Sequence, residues 1–278
     1  VQGYKNDKGS FWGLSCTYRE GNKCMTPSYA YKIVSKEDEY PVRLGKKSLR
    51  MELRKGDCHQ KRKGSHNDCK ASPPAERHEF GIEYDKLTGI KGERWHSHSM
   101  FLPSDTPVIN SEWITMGQFH NIDYHKPPVN FDLKNNHFEL VTRFHCIHPK
   151  KFNKTCYSNE NSEAIKKIID TSKLFGQWND FVVNANWTSD MKKGFFKLWV
   201  NGELVYHFVG RTVAPDDQLT VQFGIYRGKA RSSGDANHVI FYDEIRTAKS
   251  CKKMNLSQLG YSCKDLENQK INKIYRLQ

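Results

Sequence analysis

Short runs in which apolar and polar residues alternate recur along this 278-residue chain, while stripes of helical period are scarce. Over residues 48–54, Leu49, Met51 and Leu53 alternate with Arg50, Glu52 and Arg54, the period of two that buries one face of a strand and leaves the other polar. A second extended run places Ile114, Met116, Gln118 and His120 on one face and Trp113, Thr115, Gly117 and Phe119 on the other. Residues 181–187 and 195–200 read the same way, and Asn201-Gly202 supplies the two positive-φ residues of a tight hairpin into residues 203–208. Runs at 219–226 and 238–245 complete the set. Helix is expected only in a turn capped by Ser162 that carries Ile165, Ile168 and Ile169, and in the tail over 265–277. No repeat or low-complexity linker divides the chain. The expected fold is all-β: one domain over residues 1–278, a two-sheet β-sandwich of jelly-roll, concanavalin-like type with a core over about 42–249 and few short helices.

Eight cysteines fall in four close couples, Cys16 with Cys24, Cys58 with Cys69, Cys146 with Cys156 and Cys251 with Cys263. Sequential pairing into four local disulfides is the economical arrangement, and none of the spacings is the Cys-x-x-Cys knuckle of structural zinc. Disulfides, with acceptor triplets at Asn153, Asn186 and Asn255, predict a secreted glycoprotein. No apolar run is long enough to span a bilayer. The 44 Lys and Arg against 31 Asp and Glu give a net charge of +13, which suits a polyanionic partner. Nucleic acid is excluded as that partner, because no zinc knuckle, aromatic-basic RNA signature or basic helix accompanies the charge.

Three motifs place chemistry on strand faces. Gln118 and His120 project from one side of a strand. Gln222 and Tyr226 flank Gly224, whose missing side chain leaves room for a ligand against the backbone, while Phe223 and Ile225 face inward. Arg77 and Glu79 share a face after the Pro73-Pro74 loop.

In order, Arg-x-Glu-Phe, Gln-x-His, an Asn-Gly-Glu hairpin, Phe-Gly-Ile-Tyr-Arg and Phe-Tyr-Asp-Glu-Ile resemble the jelly-roll polysaccharide lyases: the heparin lyase I, glucuronan lyase and alginate lyase families. The resemblance runs from about Val42 to Lys249. Many relatives have lysine where Gln222 stands, and Arg50-Met51-Glu52-Leu53-Arg54 also matches the Arg-x-Glu-Leu-Arg strand of alginate lyases. The resemblance implies β-elimination on a uronic-acid polymer such as alginate, glucuronan or a glycosaminoglycan. Gln118 with Arg77, or with Arg50 and Arg54, would neutralise the uronate carboxylate. Tyr226 would protonate the leaving oxygen 4, and either Tyr226 or neutral His120 would take the carbon 5 proton. Glu79, Gln222 and Arg227 complete the expected substrate contacts. No cofactor is required; a structural calcium on carboxylates such as Asp243 or Asp235 is compatible with the chemistry. A monomer is expected.

Two other classes fit parts of the pattern. A glycan-binding module on the same sandwich would use Tyr226 and the tryptophans as stacking platforms. A glycoside hydrolase would need paired carboxylates; Glu83-Tyr84-Asp85 begins such a run, but Thr88 stands where its last Glu belongs. His96-Ser97-His98 and His145-Cys146-Ile147-His148 are expected to be rim histidines rather than metal ligands.

Overall fold

A computed structural model describes residues 18–20, 23–59, 67–72, 74–82, 89–107, 114–121, 126–134, 137–148, 151, 156, 164–215, 217–228 and 236–276. Its strands are β1 (Tyr18–Glu20), β2 (Lys23–Met25), β3 (Tyr31–Ser35), β4 (Lys47–Leu53), β5 (Ala75–Ile82), β6 (Gly92–Phe101), β7 (Ile114–Asn121), β8 (Val129–Lys134), β9 (His137–Thr142), β10 (Ile165–Asp170), β11 (Trp178–Trp187), β12 (Phe195–Val200), β13 (Glu203–Val209), β14 (Leu219–Gly228), β15 (His238–Ala248) and β16 (Tyr275–Arg276). One helix, α1 (Cys263–Asn268), follows β15. The strands form a two-sheet β-sandwich. One sheet has the order β10-β9-β8-β7-β14-β5, the other β16-β13-β12-β11-β6-β15-β4-β3, and β1-β2 stand apart as a pair. Pairing is antiparallel except between β13 and β16. The hairpin joining β12 and β13 turns at Asn201 and Gly202, whose φ angles of 51° and 83° are the two positive values that sequence demands.

The core lies between the sheets. Phe131 and Phe223 of the six-stranded sheet meet Phe181 and Tyr242 of the eight-stranded one, with ring centroids 5.7 Å apart for Phe131–Phe181 and 5.6 Å for Phe223–Tyr242. The outer face of the eight-stranded sheet has a second apolar layer. There Trp95 stacks on Trp199 at 5.6 Å, and the C-terminal segment covers both with Met254, Leu256, Leu259 and Leu266. The Cys251–Cys263 disulfide closes that segment, and Trp199 Nε1 donates to the Leu266 carbonyl. The outer face of the six-stranded sheet is the polar one.

Several sequence expectations are corrected. Residues 165–170 form strand β10 on β9 rather than a helical turn, because Ile165, Lys166 and Lys167 continue the ladder beside Val141, Leu140 and Glu139; Ser162 lies outside the described residues. The tail helix ends at Asn268, and the chain then extends into β16, where Tyr275 stacks on Tyr206 at 4.7 Å. His96 and His98 are not at a rim: both are buried between the sheets, with His98 stacked on Phe181 at 4.8 Å and His96 edge-on to Phe119 at 5.3 Å. Disulfides Cys58–Cys69, Cys146–Cys156 and Cys251–Cys263 form as expected; the Cys16–Cys24 couple falls outside the described residues through Cys16.

Candidate active site

Three adjacent strands build the site. β14 lies between β5 and β7, with Tyr226 opposite Arg77, Gln222 opposite both Gly81 and Gln118, and Thr220 opposite His120. The simple alternation expected of β7 fails, because its register against β8 shifts between Thr115 and Gly117. Ile114, Met116 and Phe119 all enter the core as a result, and Thr115, Gln118 and His120 are left for the outer face. β14 has a matching irregularity between Phe223 and Tyr226. Such bulges re-aim side chains beside functional sites.

A continuous network joins these residues. Gln118 Nε2 donates to Glu79 Oε1 at 2.7 Å and to Gln222 Oε1 at 3.0 Å. Arg77 reaches Glu79 at 3.2 Å and grips Asp68 through Nε (2.5 Å) and Nη2 (3.0 Å). Its guanidinium carbon lies 3.9 Å over the centre of the Tyr226 ring. Burial pushes the Tyr226 hydroxyl above its ordinary pKa while Arg77 pulls it down, and the upward effect wins. Glu79 is buried too, and desolvation raises its carboxyl against the pull of Arg77 and Gln118. His120 stands one pleat, about 7 Å, beyond Gln118 along β7. Its Nδ1 lies 2.7 Å from the Asn121 carbonyl oxygen, which only accepts, so Nδ1 carries the proton and the lone pair of the neutral ring is on Nε2. Tyr226 lies on the other side of Gln118, four residues along β14 from Gln222.

Arg77, Glu79, Gln118, His120, Gln222 and Tyr226 therefore share one face. Three predicted contacts do not join them. Arg50 and Arg54 belong to the eight-stranded sheet, where both bind Glu52, at 2.7 Å and 2.5 Å, because β4 pairs with β15 and β3 rather than with the site strands. Arg227 is fully buried, its Nε on Glu76 at 2.9 Å and its Nη1 on the Ala236 carbonyl and His238 Nδ1, so it braces the fold and does not face a substrate. The reading of Gly224 changes as well. A Cβ there would meet the His78 carbonyl oxygen at 2.1 Å and Glu79 Cα at 2.7 Å, at a φ of 144°. The glycine lets β14 lie close against the β5 backbone; it does not clear space on the open face.

Two residues outside the expected set matter. Asp68 anchors Arg77 from a 3-10 turn, Asp68–Lys70, that the Cys58–Cys69 disulfide holds. Tyr242 reaches across from β15; its hydroxyl bonds the Met116 carbonyl and the Gly224 backbone, one contact at each bulge. The Phe-Tyr-Asp-Glu-Ile motif was the only sequence signal for it. Among the described residues, His145, Cys146 and Cys156 come close enough to share a metal, but the two sulfurs are joined as a disulfide and hold no thiolate. Asp243 spends both carboxylate oxygens on the backbone N–H groups of Arg43, Leu44 and Glu244; Asp235 and the Glu83–Asp85 run lie outside the described residues.

The profile of the family described as polysaccharide lyase matches residues 26–246, well over half of the chain. The chain belongs to the polysaccharide lyase family. Solved structures agree with the lyase fold. An endo-β-1,4-glucuronan lyase from Trichoderma reesei superposes with a TM-score of 0.55 at 14% identity, over 87% of this chain and 96% of that one. An alginate lyase from Klebsiella pneumoniae gives 0.55 at 10% identity over the same shares. The alginate lyase AlgAT5 of polysaccharide lyase family 7 gives 0.52 at 12%, over 86% and 94%. No curated protein sequence matches the chain. The jelly-roll lyase sandwich and its family are thus common ground between sequence and structure, and no helix among the described residues is long and apolar enough to cross a membrane.

Proposed function

We propose that this polysaccharide lyase acts outside the cell on a uronate polymer and cleaves it by β-elimination. One observation carries the reading: an arginine, two amides, an imidazole and a phenol from three neighbouring strands stand on one face of one sheet. Carbon 5 of a uronate loses its proton only if the charge that builds on the adjoining carboxylate is stabilised by preorganised donors. The Gln222 amide, held by Gln118 and backed by the positive charge of Arg77, supplies them. The raised pKa of Tyr226 keeps its hydroxyl protonated at neutral pH, which suits a proton donor to oxygen 4. His120 presents Nε2 as base. The C5–H proton passes to the base, the C5 electron pair forms the C4=C5 double bond, and the C4–O4 bond breaks as O4 takes the Tyr226 proton. Where the C5 hydrogen and O4 lie on the same side of the ring, the fraction of Tyr226 present as phenolate can take the C5 proton and pass it to O4; where they lie on opposite sides, protonated Tyr226 is the acid and His120 is the base.

The net charge of +13 supports attraction of a polyanion, and three disulfides support an oxidising compartment. The test is the ultraviolet absorbance of unsaturated uronides released from alginate, glucuronan, hyaluronan and heparan sulfate. Expected is product from at least one polymer, abolished by Tyr226→Phe with binding retained. Binding without product from any of the four makes the chain a glycan-binding module.

A further inference from the structure

The direction of each hydrogen bond in the amide network limits what can meet a carboxylate; the inference rests on the lyase reading and deepens it. Gln118 Nε2 has two hydrogens, and both are spent on protein acceptors, Glu79 Oε1 and Gln222 Oε1. What Gln118 has left is Oε1, an acceptor, which repels a carboxylate. The Arg77 guanidinium already faces two carboxylates, Asp68 and Glu79. Gln222 is different. Its carbonyl accepts from Gln118, so its Nε2 is the group turned away from the network; it makes no hydrogen bond among the described residues, and it is not among the buried polar atoms without a partner.

We infer that Gln222 is the residue that donates to the uronate carboxylate, and that Glu79 is a positioning residue that fixes the direction of both amides through Gln118. A carboxylate at Glu79 can only accept, so it turns the Gln118 amide nitrogen inward; the Gln118 nitrogen then holds the Gln222 oxygen, and the Gln222 nitrogen points to the substrate. At the position where many relatives are expected to carry lysine, this chain uses a neutral donor oriented from below. The carboxylate is read by a hydrogen bond whose strength depends on the orientation of its neighbours.

The experiment is calorimetric binding to the Tyr226→Phe protein, with oligosaccharides of whichever polyuronate the wild type binds and with the same oligosaccharides after reduction of their carboxyl groups. The ratio of the two affinities is the readout. Gln222→Leu should lower the preference for the carboxylate form on the order of tenfold, and Gln222→Lys should keep it while making it more salt-dependent. Glu79→Ala should lower the ratio as Gln222→Leu does, and Glu79→Gln, which keeps an acceptor for Gln118, should restore part of it; a merely structural loss would weaken both ligands alike. An unchanged ratio in Gln222→Leu overturns the assignment even if the wild type releases unsaturated product. Gln222-dependent preference in a wild type that releases no product upholds the assignment and removes the lyase chemistry. Absence of any preference for the carboxylate form in the starting protein overturns it.

Discussion

Arg77 lies face-on to Tyr226, with its guanidinium carbon 3.9 Å above the ring centre and its nitrogens turned to Asp68 and Glu79. The positive charge lowers the pKa of a phenol that burial raises. Arg77→Met should therefore move the Tyr226 titration to higher pH, together with any alkaline limb of the rate profile that reports Tyr226. Turnover should drop on the order of a hundredfold, as for other lost electrostatic stabilisers. The spectroscopic difference between each protein and its Tyr226→Phe counterpart isolates the phenol; a titration that stays put or moves down would show that Arg77 does not set it.

Asp68 is buried, and its two oxygens hold Arg77 in place. Its own position is set by the Asn67 side chain, which accepts from the Cys69 amide, by its N–H bond to the His59 carbonyl, and by the Cys58–Cys69 disulfide. Asp68→Asn should cost about 3 kcal/mol of stability, because it breaks a largely buried ion pair, and should slow turnover under conditions where the protein is fully folded. Cys58→Ala with Cys69→Ala should repeat the effect more mildly, with about 2–3 kcal/mol lost from the closed loop. Full-rate turnover by Asp68→Asn, measured with circular dichroism confirming the fold, would remove Asp68 from the positioning of Arg77.

What was legible in the sequence was local. Asn201-Gly202 dictates its own hairpin, and alternation identifies β4 and β14 because neighbouring residues decide which face is buried. The bulge in β7 was not legible. It turns Gln118 and His120 away from the face of Ile114 and Met116, and its stabilising partner, Tyr242, comes from the opposite sheet 126 residues away. The inward placement of His96 and His98 escapes the sequence for a related reason: polarity predicts the surface, and the ring contacts of Phe119 and Phe181 show why two imidazoles are tolerated inside. Arg50 and Arg77 sit in similar Arg-x-Glu motifs, and strand pairing alone separates the one that faces the site from the one that does not.

Those interior histidines make stability depend on pH. Burial lowers both His96 and His98 to about 3, and His238, which is also buried and lies beside Arg227, to about 4. The unfolded chain takes up their protons near pH 6.5, before the folded chain does. Their contribution is complete above that pH and is lost as pH falls from about 6.5 toward 3, at up to ~1.4 kcal/mol per pH unit for each histidine. His96, whose two ring nitrogens have no hydrogen-bond partner, is the cleanest to replace. His96→Met should flatten the slope of unfolding free energy between pH 7 and pH 4.5 by about one proton, read by urea denaturation. An identical slope in the two proteins would mean that His96 is protonated in the folded state.

The Tyr242 hydroxyl serves both bulges, bonding the Met116 carbonyl in β7 and the Gly224 N–H and carbonyl in β14. Because the β7 bulge decides that Gln118 leaves the core, and the β14 irregularity lies between Phe223 and Tyr226, a residue on the far sheet governs the geometry of the site. Tyr242→Phe removes one oxygen and leaves buried backbone groups unpaired, which should cost about 1–3 kcal/mol and lower the melting temperature by roughly 2–4 °C per kcal/mol. The sharper expectation is on turnover, which should fall at least tenfold at temperatures where the variant is fully folded, with KM rising as the Gln118–Gln222 pair loses its register. Tyr206→Phe is the control: it too removes a buried hydroxyl, one that meets Thr142 Oγ1 at 3.4 Å and touches neither bulge. It should lose stability and keep its rate. Equal rates in the two variants would show that the bulges hold the site without Tyr242.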